Sequence, residues 1–164
     1  MSSPNSRFPA LAALALVAMA AAVAMVAFFA PEDADQGLSQ KIFYFHVPIA
    51  LTAYCCFGWG AWKALRHLWK RDPGADLESY TAIHQGTIFG VALIPVSFLA
   101  IRLANDFIHP TVFTSQGPQM SGRMFATFCI SWAALLLLAA TLYHVELAGK
   151  RLDSRLRELR ELLA

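Results

Sequence analysis

The chain has 164 residues, of which 57% are hydrophobic and 15% charged, and its formal net charge is +2 at pH 7. A water-soluble domain of this length cannot bury so much apolar surface, so the composition excludes an ordinary soluble globular protein. The slight positive charge does not indicate a nucleic-acid partner, because membrane orientation accounts for where the basic residues fall. The sequence therefore predicts a protein of the lipid bilayer.

Four apolar stretches lack Asp, Glu, Lys and Arg, and each reaches the roughly 20 residues that a membrane-spanning helix requires. They run from Phe8 to Ala30, from Ile42 to Trp62, from Tyr80 to Ile101 and from Met124 to Val145. Because lipid offers the backbone no hydrogen-bonding partner, such stretches must be helices. We predict an all-α integral membrane bundle of four transmembrane helices over residues 1–149, followed by a cytoplasmic amphipathic helix over residues 150–164.

The first stretch is Ala-rich and N-terminal, so a cleaved signal peptide is the alternative to a membrane helix. Its 23 residues exceed a typical signal core. In addition, Ala27-Phe28-Phe29-Ala30 places a large Phe where a small residue should precede the cleavage site. We therefore predict an uncleaved first span.

The basic residues divide unequally between the two sides of the predicted bundle. If the N-terminus, the connection after the second span and the tail are cytoplasmic, ten Lys and Arg lie inside and three lie outside, namely Lys41, Arg102 and Arg123. Such an excess of inner cations is the usual pattern in membrane proteins. We expect a multi-pass protein of the bacterial cytoplasmic (inner) membrane with both termini in the cytoplasm.

Two polar segments flank the fourth span. The outer connection from Leu103 to Arg123 begins with apolar residues at helical spacing, so we expect the third helix to extend outward until Pro110 ends it. In the tail, leucines recur at intervals of four, three and four residues, at Leu152, Leu156, Leu159 and Leu163. This spacing predicts an amphipathic helix that lies along the inner membrane surface, docks against a partner, or caps the last span as a solvated helix.

Two histidines lie at the predicted outer edge, each close to a proline. His46 begins the run His46-Val47-Pro48, and His109 directly precedes Pro110. They belong to consecutive helices, which must pack as an antiparallel hairpin because their connection is short. Two neutral imidazoles at a membrane edge can hold a haem iron from both faces, whereas a single interfacial histidine more commonly bonds a backbone carbonyl. The prediction of a haem site therefore depends on the pair.

Other residues of the same edge would complete such a site. The cations Lys41, Arg102 and Arg123 are suited to the two haem propionates. Aromatic side chains can cover the macrocycle or can form an ordinary interfacial belt, and they are Phe43, Tyr44, Phe45 and Phe107.

The remaining histidines and the cysteines indicate no further site. His67 lies in a basic segment typical of a headgroup anchor, and His84 and His144 are predicted to cap or hydrogen-bond at inner helix ends, where neither has an obvious partner. The three cysteines have neither the spacing for covalent haem attachment nor that for zinc.

Three segments carry a family resemblance. They are Phe29-Ala30-Pro31-Glu32-Asp33-Ala34-Asp35-Gln36-Gly37, then Gln40-Lys41-Ile42-Phe43-Tyr44-Phe45-His46-Val47-Pro48, and the stretch from Ile94-Pro95-Val96 through Asn105 and Phe107 to His109. Together they resemble the haem-handling membrane proteins of cytochrome c maturation, the haem exporter protein C type. The most specific element is the loop with its His-Val-Pro helix start.

The resemblance implies a protein that receives haem b and holds it non-covalently and transiently at the outer face through His46 and His109. It implies delivery to a haem chaperone or another membrane protein of cytochrome c maturation, by coordination and transfer rather than by catalysis. The family has six helices and a tryptophan-rich outer segment. This chain has four predicted spans, and its four tryptophans all lie in or beside them, so it is similar to a shortened form without that segment.

We therefore expect a haem-binding and haem-delivery component of cytochrome c biogenesis, with lipid, haem and maturation proteins as its partners. One alternative is a small structural or regulatory subunit of a membrane complex without haem. Another is a b-type electron-transfer subunit, although stable electron carriers usually hold haem deep in the bundle and the inner faces here show no second histidine pair.

Overall fold

The computed structural model describes residues 7–32, 39–103, 113–114, 117–118 and 120–163. Its helices are α1 (Arg7–Ala24), α2 (Ser39–Lys70), α3 (Pro73–Leu103) and α4 (Gly122–Leu163), and α1 continues into a π-helix over Met25–Phe29. Two short strands, β1 (Phe113–Thr114) and β2 (Gly117–Pro118), pair antiparallel with Phe113 opposite Pro118. The predicted all-α membrane bundle is confirmed.

Three helical stretches in the described residues are long and apolar enough to cross a membrane, and they are Phe8–Phe29, Gln40–Lys70 and Gly122–Leu163. They correspond to the first, second and fourth predicted spans. Helix α3 has 31 residues, which is also sufficient length. That α3 crosses the membrane stays a prediction, and its packing against α2 supports it.

Helices α2 and α3 form a hairpin with a two-residue turn. Arg71 has a φ of 49°, the left-handed conformation that commonly ends a helix, and its N–H donates to the carbonyl of His67 at 2.7 Å. Asp72 then starts α3, because its Oδ1 accepts a hydrogen bond from the N–H of Gly74 at 3.0 Å. Pro73 follows at the first helical position, where a missing N–H costs nothing.

The two helices of the hairpin lie close together along much of their length. The Ser79 hydroxyl donates to the carbonyl of Gly60 at 2.9 Å, and a Cβ at Gly60 would lie 2.7 Å from Cγ1 of Ile83. Further along, a Cβ at Gly86 would lie 2.9 Å from the ring of Phe57. Small residues allow such close approach between membrane helices. This close antiparallel packing supports the prediction that α3 returns across the membrane.

The apolar core has two parts. Val26, Ala30, Tyr44 and Phe128 form one cluster near the predicted outer end, and Ala53, Phe89, Leu135 and Ala139 form a second one. Both clusters include residues of α2 and α4, so these two helices line the centre of the bundle at both levels. Their buried side chains fix how the helices are rotated, and hence which residues meet at the outer end.

Helix α4 is one unbroken helix of 42 residues. At 1.5 Å per residue this is about 63 Å, roughly twice the thickness of a bilayer core. The predicted fourth span and the predicted amphipathic tail are therefore parts of one helix, with no break at residue 150.

Candidate functional site

Three elements meet at the predicted outer end of the bundle: the π-helix after α1, the start of α2 and the start of α4. Ser121 starts α4, because its hydroxyl accepts a hydrogen bond from the N–H of Met124 at 3.3 Å. The side-chain amide of Gln40 on α2 lies 3.7 Å from Sδ of Met124. These contacts hold the first turns of α2 and α4 side by side.

Two predicted site cations bind the carbonyl end of the first helix. Lys41 Nζ lies 3.2 Å from the carbonyl oxygen of Ala27 and 3.0 Å from Oε1 of Glu32. Arg123 Nη2 lies 2.5 Å from the carbonyl oxygen of Phe29, and its guanidinium stands 4.6 Å from the Phe29 ring centroid. The last carbonyls of a helix have no partner within it and carry partial negative charge, so cations stabilise them. Both cations therefore have a structural role at this end.

His46 lies two turns into α2 and is half-buried. Pro48, two residues later, is buried inside the helix. A proline has no N–H, so the helical hydrogen bond to the carbonyl of Tyr44 cannot form, and the helix is weakened next to His46. The hydroxyl of Thr52 donates to the Pro48 carbonyl at 2.7 Å.

Tyr44 lies in the core rather than at the surface. Its exposure is 0%, and its ring meets that of Phe43 edge to face at 5.5 Å between centroids. Phe43 in turn stacks on Phe128 of α4 at 5.7 Å. Within the described part of the chain, the Tyr44 hydroxyl is buried without a hydrogen-bond partner. Such a group is costly and commonly indicates a missing water or ligand.

The structure thus places Lys41, Tyr44, His46 and Arg123 at one end of the bundle. Arg102 lies on α3, but its side chain is not among those described, and His109 lies outside the described residues. The pairing of His46 with His109 stays a prediction.

A polar network that the sequence did not predict lies at the opposite, predicted inner, end. Glu146 on α4 lies at its centre. One carboxylate oxygen is 2.7 Å from Nδ1 of His84 and 2.5 Å from Nζ of Lys150, and the other is 2.5 Å from the amide nitrogen of Gln85. Lys150 also donates to the hydroxyl of Thr81 at 3.2 Å. The network therefore joins α4 to α3 through five side chains.

A second carboxylate extends this network to α2. Glu78 on α3 forms ion pairs with Lys63 of α2 and with Arg151 of α4, the latter at 3.2 Å. Only the Glu146–Lys150 pair could be read from the sequence, as an i,i+4 pair on one helix. The others connect residues far apart in the chain, and their contacts follow from how the helices pack.

The comparisons with known proteins identify a family. The sequence model of one protein family, CcmC (heme exporter protein C), matches residues 2–99, which is more than half of the chain. The match includes Lys41, Tyr44 and His46, and ends before Arg102, His109 and Arg123. Searches of curated proteins and of solved structures return no significant match. The chain belongs to the heme exporter protein C family, which handles haem in cytochrome c maturation.

Proposed function

We propose that this chain binds haem at the outer end of the bundle and delivers it to a partner protein for cytochrome c maturation, with His46 and His109 as the axial ligands. The observation that carries the proposal is the position of His46. It is half-buried at the end of the bundle that also holds Lys41 and Arg123, within the part of the chain that matches the family. An imidazole there can ligate iron while the apolar macrocycle stays at the membrane edge.

Lys41, Arg102 and Arg123 are proposed to bind the two haem propionates. A guanidinium has five N–H donors, so Arg123 can hold the Phe29 carbonyl and still offer donors to a carboxylate. Lys41 already pairs with a carboxylate, that of Glu32, at 3.0 Å. A propionate would replace one carboxylate by another at this ammonium group.

Tyr44 is proposed to contribute from the core side of the site. Its buried hydroxyl lacks a protein partner within the described residues, and a hydrogen bond to a propionate oxygen would satisfy it. The rings of Phe43 and Phe128, which stack beside it, would give the macrocycle an apolar neighbour.

The chain acts by coordination and transfer rather than by making or breaking covalent bonds. Non-covalent haem b held at an outer edge can pass to a haem chaperone or to another membrane protein of the maturation system. In this proposal the outer end faces away from the bacterial cytoplasm, and both termini lie inside.

One observation favours a second function, that of a haem-free structural subunit. Lys41 and Arg123 already satisfy the carbonyls of Ala27 and Phe29, so both cations have a reason to be present without haem. Under this alternative His46 would be an interfacial hydrogen-bonding residue.

An optical absorption spectrum distinguishes the haem-binding function from the haem-free structural function. The full chain would be purified from membranes supplied with haem, alone and together with its maturation partners, next to His46→Ala and His109→Ala. We expect a low-spin spectrum typical of two imidazole ligands, which either substitution abolishes while the chain stays folded.

His144→Ala is the matched control, because His144 is an exposed histidine near the inner end of the fourth predicted span. It should leave the spectrum unchanged. A native protein that carries no haem under either condition would overturn the proposal in favour of the structural subunit. A spectrum that survives the double substitution of His46 and His109 would overturn their assignment as the axial ligands.

A further inference from the structure

The last turns of α4 expose an apolar stripe that no described helix covers. We call Leu152, Leu156, Leu159 and Leu163 the leucine stripe. Their exposed fractions are 60%, 44%, 55% and 88%. Contiguous apolar surface of this kind outside a membrane commonly marks an interaction site.

The stripe continues a pattern that starts inside the span. Leu142, Val145 and Gly149 precede Leu152 at intervals of three, four and three residues, so the whole series keeps a heptad spacing along α4. Leu142 and Val145 are also exposed, at 38% and 48%, and a Cβ at Gly149 would meet nothing within 4 Å. One face of α4 is therefore available to a second helix from the membrane into the cytoplasm.

The base of the tail is fixed in direction. Lys150 binds Glu146 and Thr81, and Arg151 binds Glu78, so the turn at residues 150–151 is held against α3. Beyond this turn, the helix has two side-chain contacts of its own. Asp153 and Arg157 form an ion pair at 2.7 Å, and the Ser154 hydroxyl donates to the Lys150 carbonyl at 2.8 Å. The tail thus continues α4 beyond its contacts with α3, and the side chains of its stripe are exposed.

The charges beside the stripe indicate what covers it. Arg155 precedes Leu156 and Arg160 follows Leu159, so both occupy flanking positions of the heptad. Asp153 occupies the flanking position after Leu152, but its charge is balanced by the ion pair with Arg157. In the described part of the chain neither Arg155 nor Arg160 forms an ion pair. Two copies of this chain share one orientation in the membrane, so their tails would run parallel and bring Arg155 of one copy against Arg160 of the other. That contact is repulsive.

We propose that the leucine stripe is a docking surface for an amphipathic helix of another protein, in which Asp or Glu side chains flank the apolar seam. The acidic residues would pair with Arg155 and Arg160 while apolar side chains fill the spaces between the leucines. This proposal does not depend on haem binding.

The test uses the full chain in lipid nanodiscs and two labelled 21-residue probe peptides. Both carry Ile and Leu at the seam positions, with Glu at the flanking positions in the acidic probe and Lys in the basic probe. Fluorescence anisotropy should show that the acidic probe binds at least tenfold more tightly. Leu156→Ala with Leu159→Ala should abolish binding, and Arg155→Gln with Arg160→Gln should remove the preference.

Lys70→Gln is the control for charge, because Lys70 is an exposed cation at the end of α2 and lies off the leucine stripe. It should keep the preference. Equal binding of both probes, or no binding of either, would overturn the proposal. So would a disulfide between two copies carrying Leu156→Cys that the parent chain does not form, since a second copy would then cover the stripe. If anionic vesicles protected the thiol of the Leu156→Cys variant from a soluble maleimide, the stripe would instead be a membrane-binding surface.

Discussion

Nδ1 of His84 lies 2.7 Å from Oε1 of Glu146, and this contact joins α3 to α4 at the predicted inner end of the bundle. An ionised carboxylate only accepts hydrogen bonds, so the imidazole donates. Gln85, the next residue on α3, binds the other carboxylate oxygen. A single carboxylate therefore links α3 to α4. It lies at the opposite end of the bundle from the proposed haem site.

We expect Glu146→Ala to lower the free energy of unfolding by about 1–3 kcal/mol, because it leaves the buried amide of Gln85 without its acceptor and removes the ion pair of the half-buried Lys150. Thermal denaturation in detergent would measure this. Asp153→Ala is the control, since its pair with Arg157 is exposed, at 60% and 73% for the two side chains, and should contribute little. Equal losses in the two variants would contradict a special role for Glu146.

Two glycines of α2 should respond oppositely to the same substitution. In Gly60→Ala the new Cβ would lie 2.7 Å from Ile83 Cγ1 and 3.3 Å from backbone atoms of Ser79 and Ile83, so α3 must move. We expect a loss of about 1–3 kcal/mol. Gly58→Ala adds a Cβ that meets nothing within 4 Å, and should be neutral or stabilise the helix by up to about 1 kcal/mol. Unfolding followed by circular dichroism compares the two, and a tolerated Gly60→Ala would contradict the close packing of the hairpin.

The sidedness predicted from the basic residues can be tested by cysteine labelling. A membrane-impermeant maleimide should label Glu32→Cys in intact spheroplasts, because the loop after α1 is predicted to be external. Asp76→Cys, at the start of α3, and Glu158→Cys, in the tail, should react only after permeabilisation. All three side chains are exposed, so access is decided by the membrane alone. The parent chain, whose cysteines lie within helices, gives the background, and the reverse labelling pattern would place the outer cations inside.

Arg123 should stabilise the protein even without haem. Its hydrogen bond to the Phe29 carbonyl and its position over the Phe29 ring would both be lost in Arg123→Gln, at a cost of about 1–3 kcal/mol. Arg155→Gln, an exposed arginine of the tail, is the matched control and should unfold like the parent. If haem-free Arg123→Gln is as stable as the parent, the capping role is wrong, and any loss of haem affinity would then reflect propionate binding alone.

Much of the fold followed from hydropathy and local sequence. The apolar stretches predicted the helices because a backbone in lipid has no alternative, and the all-α membrane bundle is confirmed. The turn between α2 and α3 also depends on local sequence. Asp is a preferred residue immediately before a helix and Pro is preferred at the first helical position, and Asp72 and Pro73 occupy these positions. The His-Val-Pro segment led to the family that the comparison then identified.

The sequence by itself therefore determined the class of protein, its helices and its family. Only the tertiary structure decided that Tyr44 is buried in the core, that Lys41 and Arg123 bind the π-helix after α1, and that Glu146 holds His84. It also decided that the tail continues α4 without a break. The physical reason is that hydropathy depends on each segment alone. Contacts between helices depend on their relative rotation and register, which are fixed by how side chains such as Phe43 and Phe128 pack across the bundle.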